Sequence, residues 1–202
     1  MSDNNLFLPD GAVEHEIKIK RSGFIGHLSP APEREAAENF IERCRKDHHS
    51  ATHNCFAYRI DAQTTRFSDD GEPSGTAGRP ILQMLEKYQL IQSALVVTRY
   101  FGGVKLGTGG LIRAYGQCAE ETIRKAALLP FIREQRIELR YPYALTRQVA
   151  YWVDKHQGRF ADGDFAAEVK AVVLLPAANA ASFLAQLMAI GNGQISHLNK
   201  ES

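Results

Sequence analysis

Residues 99–115 read Arg99-Tyr100-Phe101-Gly102-Gly103-Val104-Lys105-Leu106-Gly107-Thr108-Gly109-Gly110-Leu111-Ile112-Arg113-Ala114-Tyr115. The apolar run Ala94 to Val97 just before them suits a buried strand. Just after, Leu111, Tyr115, Cys118, Thr122 and Ile123 recur at helical spacing, so a helix is expected from about Gly110 to Ala127. The stretch is a strand that runs through a glycine-rich loop into a helix. A second such segment lies upstream, Ser68-Asp69-Asp70-Gly71-Glu72-Pro73-Ser74-Gly75-Thr76-Ala77-Gly78-Arg79-Pro80, and nine of the chain's 16 glycines fall between Gly71 and Gly116. Glycine loses more freedom on folding than any other residue, so a chain keeps it where φ is positive or a group must approach the backbone. Charged, hydroxyl and aromatic side chains are interleaved with these glycines, which is the composition of a functional site.

Working outward, residues 1–13 read as a loose arm, and Ile17, Ile19, Phe24 and Ile25 as a first strand. Pro32 suits a first helical position, with Ala36, Ala37, Phe40, Ile41 and Cys44 as the apolar face behind it. His53 to Ile60 alternates as a strand, with Phe56, Tyr58 and Ile60 on one side and Cys55 and Ala57 on the other. Pro80 to Tyr88 reads as a helix carrying Ile81, Met84 and Leu85.

Near Pro130 the pattern resets. Ile137–Tyr143 is expected to be a strand and Thr146–His156 a helix. A hairpin follows, with its turn at Asp162-Gly163-Asp164, then a helix opened by Pro176 and a last strand over Gln194–Leu198. The order strand, helix, strand, strand, helix, strand is that of a split βαβ, ferredoxin-like unit. The fold class is α+β in two domains, residues 1–134 and 135–202.

With 202 residues, 44% of them hydrophobic and 23% charged, the chain can bury a core and is expected to be soluble. No apolar run approaches the roughly 20 residues that span a bilayer. The first residues carry no secretory signal pattern, and three scattered cysteines, Cys44, Cys55 and Cys118, make no disulfide framework, so a cytoplasmic location is expected. A net charge of +1 gives no global attraction to nucleic acid, so such binding needs a local basic face.

Gly107-Thr108-Gly109-Gly110 opens a helix, where backbone N–H groups and the helix dipole favour an anion. Arg99, Lys105 and Arg113 add positive charge, Thr108 a hydroxyl and Tyr100 an aromatic surface. The segment is neither a Walker loop nor a Gly-x-Gly-x-x-Gly fingerprint, because position 112 is Ile112. Tight packing of helix on sheet is the competing explanation of these glycines. Asp69, Asp70 and Glu72 with Thr76 are expected to line the same cleft, the aspartates bonding local backbone and Glu72 meeting an arginine. His53 and Cys55 complete the cleft lining. Their spacing with His48 and His49 matches no standard zinc set, and nothing marks an oxyanion hole for a Cys–His pair, so no metal, cofactor or catalytic residue is assigned. Lys18, Lys20, Arg21 and Arg79 lie among Phe24, Tyr100 and Phe101, a basic and aromatic mixture that serves RNA binding or a solvated surface equally.

These motifs resemble the IMPACT/YigZ family. The resemblance is carried by Ser68-Asp69-Asp70-Gly71-Glu72-Pro73 with Gly75-Thr76-Ala77-Gly78-x-Pro80, by Val97-x-Arg99-Tyr100-Phe101-Gly102-Gly103, by Leu106-Gly107-Thr108-Gly109-Gly110-Leu111, and by His53-x-Cys55-x-Ala57. It covers nearly the whole chain. Where members carry Lys-x-Ser-Arg-Phe, this chain has Lys20-Arg21-Ser22-Gly23-Phe24. The resemblance implies an N-terminal domain like the second domain of a small-subunit ribosomal protein and a C-terminal domain like a late domain of elongation factor G. It also implies a translation-linked setting, since the eukaryotic members regulate translation initiation through an additional N-terminal domain.

The leading expectation is a non-enzymatic protein that binds RNA or the ribosome, with a translation-related protein as a further possible partner. A phosphoryl-transfer or nucleotide-binding enzyme and a protein-interaction module are the alternatives. The sequence leaves the oligomeric state open.

Overall fold

The computed structural model describes residues 6–199, which form two compact units divided between Phe131 and Ile132. The first unit contains β1 (Phe7–Pro9), β2 (Val13–Ile19), β3 (Ser22–Pro30), α1 (Arg34–Asp47), β4 (His53–Arg59), β5 (Thr65–Ser68), α2 (Gly78–Lys87), β6 (Ser93–Tyr100), α3 (Thr108–Lys125) and β7 (Leu128–Pro130). The second contains β8 (Glu134–Pro142), a 3-10 turn at Tyr143–Leu145, α4 (Thr146–Lys155), β9 (Arg159–Phe165), β10 (Glu168–Pro176), α5 (Ala177–Gly191) and β11 (Ser196–Asn199). The fold is a two-domain α+β fold.

In the first unit a five-stranded sheet runs β2-β3-β6-β4-β5 with every pair antiparallel. Its central strands are covered on both faces. Cys55, Ala57, Leu95 and Val97 pack under α2 and α3, whereas Phe56, Tyr58, Ala94 and Val96 pack under α1. The alternation along β4 therefore separates two cores rather than a core from solvent. α3 sits close to β3 at Gly26, where a Cβ would lie 2.0 Å from Thr122 Oγ1. Gly26 permits this close packing of α3 on the sheet, and Gly78 does the same for the start of α2, where a Cβ would lie 2.7 Å from the Ser68 backbone of β5. Arg124 and Lys125 occupy the last turn of α3, where positive charge complements the helix dipole.

Three local expectations change. The first strand is a hairpin of β2 and β3, joined at Lys20 and Arg21, both with positive φ. A two-residue hairpin loop demands that conformation and is usually filled by Asn or Gly, so Lys-Arg gave no turn signal. Part of the loose arm is a strand, since β1 pairs with β7; residues 1–5 lie outside the described residues. α1 begins at Arg34, because Glu33 is still extended at φ −144° and Pro32 precedes the helix.

In the second unit the sheet order is β11-β8-β10-β9, the first strand lying between the fourth and the third. This is the ferredoxin-like arrangement. Val149 and Val153 of α4 and Phe183 and Leu187 of α5 share a core with Ile137, Leu139, Val169 and Val173. Asp162-Gly163-Asp164 is not the hairpin turn. It lies within β9 opposite Lys170 to Val172, next to an irregularity in register, and the chain reverses at Ala166 and Ala167. Two antiparallel partners fix β10, and its pairing carries β9 past the aspartates.

Candidate functional site

The two glycine-rich segments meet beside the ends of β4 and β6. Asp69 accepts from the N–H groups of Gly75, Ala77 and Gly78, at 2.8, 3.0 and 2.9 Å, and so caps the start of α2 from a distance in sequence. Asp70 sits at φ 42°, accepts from Asn54 N–H at 2.7 Å and has Arg45 at 3.4 Å. Thr76 is buried and donates to the Pro73 carbonyl at 2.6 Å. These groups hold the loop in shape.

Glu72 turns inward instead. Its Oε1 accepts from Arg99 Nη1 at 2.6 Å and from the Tyr115 hydroxyl at 2.8 Å. Arg99 lies between the rings of Phe24 and Phe101, 5.5 and 5.4 Å from their centroids, and Phe24 meets Tyr115 edge-on at 5.3 Å. His53 is half-buried, with Nδ1 2.8 Å from the Asp70 carbonyl and Nε2 3.9 Å from Glu72 Oε2. Cys55 lies beneath, fully buried, and its Sγ donates to the Asp69 carbonyl at 3.0 Å. Burial pushes its thiol well above the ordinary range, and burial followed by the Cys55 neighbour does the same to the Tyr115 phenol. Neither ionises near neutral pH.

Above this cluster opens a cavity of about 370 Å³. Pro73, Phe101, Leu106 and Leu111 supply apolar wall, and Lys105, Gly107 and Thr108 stand at the exposed end. Gly107 has φ 72°, a conformation that turns the chain into α3 and that an L side chain rarely adopts. The N–H groups of Thr108, Gly109 and Gly110 have no partner among the described residues, as the first turn of a helix leaves them. The Arg113 guanidinium lies over Gly109, with Nη1 3.7 Å from where a Cβ would be.

The structure thus brings together His53, Glu72, Arg99, Lys105, Thr108, Gly109, Gly110 and Arg113. It keeps Cys55, Asp69 and Thr76 as supports and turns Asp70 away toward Arg45. Tyr100 is on the other face of the sheet, its hydroxyl 3.0 Å from His48 Nδ1 at the end of α1. Neighbouring residues of a strand point to opposite faces, so Tyr100 cannot share the side taken by Arg99. Phe101, part of the basic and aromatic mixture in the sequence, lines the cavity, whereas Leu106 and Tyr115 carry no site signal there. The helical spacing of Tyr115 signalled only core, although its hydroxyl bonds Glu72. Among the described residues no group of three or more His, Cys, Asp and Glu is placed to hold a metal, and no helix is long and apolar enough to cross a membrane.

A larger concavity of about 480 Å³ lies on the second unit's sheet. There Lys170 pairs in register with Asp164, and Arg140 with Lys170, so the surface carries both signs.

Residues 20–123 match the Impact N-terminal domain, and residues 139–194 match a domain of unknown function, DUF1949. The protein is 35% identical over 192 residues to the IMPACT family member YigZ of Escherichia coli, covering 93% of this chain and 94% of the relative. The chain belongs to the IMPACT family. A second member, YvyE of Bacillus subtilis, is 51% identical over 120 residues, a stretch spanning 58% of this chain and 55% of that relative. Human protein IMPACT is 36% identical over 104 residues, 47% of this chain and 32% of its own length. A crystal structure described as that of a hypothetical protein superposes over 98% of both chains with a TM-score of 0.71 at 34% identity. The IMPACT match in the first unit contains all the cleft residues named above.

Proposed function

We propose that this IMPACT-family protein binds RNA, free or in the ribosome, through the start of α3, and acts in a translation-linked setting without catalysing a reaction. The observation that carries the reading is the convergence of three unpaired N–H groups with Lys105 and Arg113, neither of which has an ion-pair partner among the described residues. Backbone donors and cations at a helix N-terminus hold a phosphate without reading sequence. Of the other basic residues named in the sequence mixture, Lys18 stands 3.7 Å from Glu16 and Arg99 is buried on Glu72, while Lys20, Arg21 and Arg79 are exposed.

Phosphoryl transfer fits less well. The aspartates it would use as base or magnesium ligand, Asp69 and Asp70, are both engaged by backbone N–H groups, and Glu72 is paired with Arg99. Cys55, buried and held as a thiol, is no nucleophile.

Mobility shifts with transfer RNA and ribosomal RNA fragments, and co-sedimentation with ribosomes, test the reading. Binding should weaken steeply as salt rises, because each phosphate contact releases counterions. Absence of salt-sensitive binding in both assays would sink it.

A further inference from the structure

The buried end of the cleft presents hydrogen-bonding atoms that the fold leaves unused. Glu72 Oε1 is occupied by Arg99 and Tyr115, but Oε2 has only His53 at 3.9 Å, beyond hydrogen-bond reach. The Glu72 side chain is 3% exposed and that of Arg99 6%, and neither Nη2 nor Nε of Arg99 has a partner among the described residues. His53 Nδ1 faces a carbonyl, which only accepts, so Nδ1 carries the hydrogen, and in the neutral form of the ring Nε2 is an acceptor. One donor group and two acceptors therefore meet at the floor of a cavity. Arg99 Nε is buried without a partner and the Glu72, His53 and Arg99 side chains line the cavity, so their natural complement is a ligand with one acceptor beside two donors.

We infer that the cleft takes a single guanine nucleotide unit, base inward and phosphate at the start of α3. This rests on the reading of that helix start as a phosphate site. The pairing edge of guanine presents O6 as acceptor and N1–H and the N2 amine as donors, matching Arg99, Glu72 and His53 in kind and number. Adenine presents one donor and one acceptor there, and uracil and cytosine one donor group with two acceptors. Phe101 is 47% exposed and supplies a flat apolar face for stacking, and the Arg99 guanidinium 5.4 Å from its centroid backs it. Leu106 and Leu111 close the walls, and a volume of about 370 Å³ lies within the range of small-ligand sites. Outside the base, Lys105, the Thr108 hydroxyl and the free N–H groups meet the phosphate. The same unit is available from an unpaired guanine in RNA and from free guanosine monophosphate.

Fluorescence anisotropy with labelled single-stranded hexamers tests this: all-uridine, or with one central guanine, adenine or inosine. Unlabelled guanosine and adenosine monophosphate serve as competitors, and their own binding is read by titration calorimetry. The guanine hexamer should bind about tenfold tighter than the uridine and adenine hexamers, the range expected for paired hydrogen bonds to a base edge. Inosine, which lacks the N2 amine, should fall between, and guanosine monophosphate should compete where adenosine monophosphate does not. Phe101→Ala, at an exposed position that leaves the core intact, should weaken the guanine hexamer most. His53→Ala should narrow the gap between guanine and inosine, and Lys105→Ala should weaken all hexamers alike. Equal affinity for every hexamer overturns the guanine site and leaves the phosphate reading standing. Binding of guanosine monophosphate with no hexamer bound keeps the guanine site and overturns the RNA reading. Binding of neither overturns both.

Discussion

Arg99 Nη1 donates to Glu72 Oε1 across 2.6 Å, joining the strand before one glycine-rich segment to the loop of the other over 27 residues of sequence. Removing one partner of a buried ion pair leaves an uncompensated charge, which costs about 3–5 kcal/mol. Arg99→Ala and Glu72→Ala should each lower the unfolding free energy measured in urea by that order, and Arg99→Met with Glu72→Leu should cost far less than the sum of the singles. Additive losses in equilibrium denaturation would show that the pair is not coupled. Arg99 is thus a poor probe of binding, because its loss disturbs the fold.

Lys105 and Arg113 are the better probes. Lys105→Ala and Arg113→Ala should leave the thermal midpoint nearly unchanged and weaken RNA binding regardless of sequence. Each should reduce the slope of log affinity against log salt by about 0.7 for a single-stranded ligand. An unchanged slope in both variants removes the start of α3 from the interface.

Asp69 holds three N–H groups at the start of α2. Asp69→Ala should destabilise by about 1–2 kcal/mol, the upper range for loss of a helix cap. Hydrogen exchange should quicken first in residues 75–80, and exchange unchanged there would contradict the capping role.

Gly26 and Gly116 should respond in opposite directions to alanine. At Gly26 the new Cβ would meet Thr122 Oγ1 at 2.0 Å, so Gly26→Ala should cost about 1–3 kcal/mol, partly recovered by Thr122→Ala. At Gly116 nothing lies within 4 Å, and Gly116→Ala within α3 should stabilise by about 0.5–1 kcal/mol. Calorimetry of the three variants decides.

His27 should make stability fall in mild acid. Burial, and then the neighbouring His48, hold its ring below the ordinary value of 6.5 despite the Glu14 carboxylate at 3.2 Å and the more distant Asp47. The unfolded chain takes up this proton near 6.5 and the folded chain only at lower pH. Stability from this group is therefore complete above 6.5 and declines as pH falls from there toward the folded value. The melting temperature should drop less between pH 7 and pH 5.5 in His27→Gln than in the parent, and parallel curves would exclude the effect.

Much of the fold was legible from short-range pattern. The alternation of Cys55, Phe56, Ala57 and Tyr58 predicts a strand with two distinct sides, and both sides are core. The element order after Pro130 predicts the ferredoxin-like unit, whose sheet order follows. What escaped was set at longer range. Lys20 and Arg21 turn the chain because β3 is held against β6, and Asp162 to Asp164 stay in a strand because β10 is fixed by β8.

The sequence by itself determined most of the elements, their order and the motifs that mark the family, because helix and strand periods are written in residues a few positions apart. The tertiary structure alone decided which polar groups share a site. Glu72 meets Arg99, His53 and Tyr115 only through the pairing of β4 with β6 and the packing of α3, and Tyr100 is lost to the site by the alternation of a single strand. Contacts between loops depend on register across the whole sheet, which no local pattern encodes.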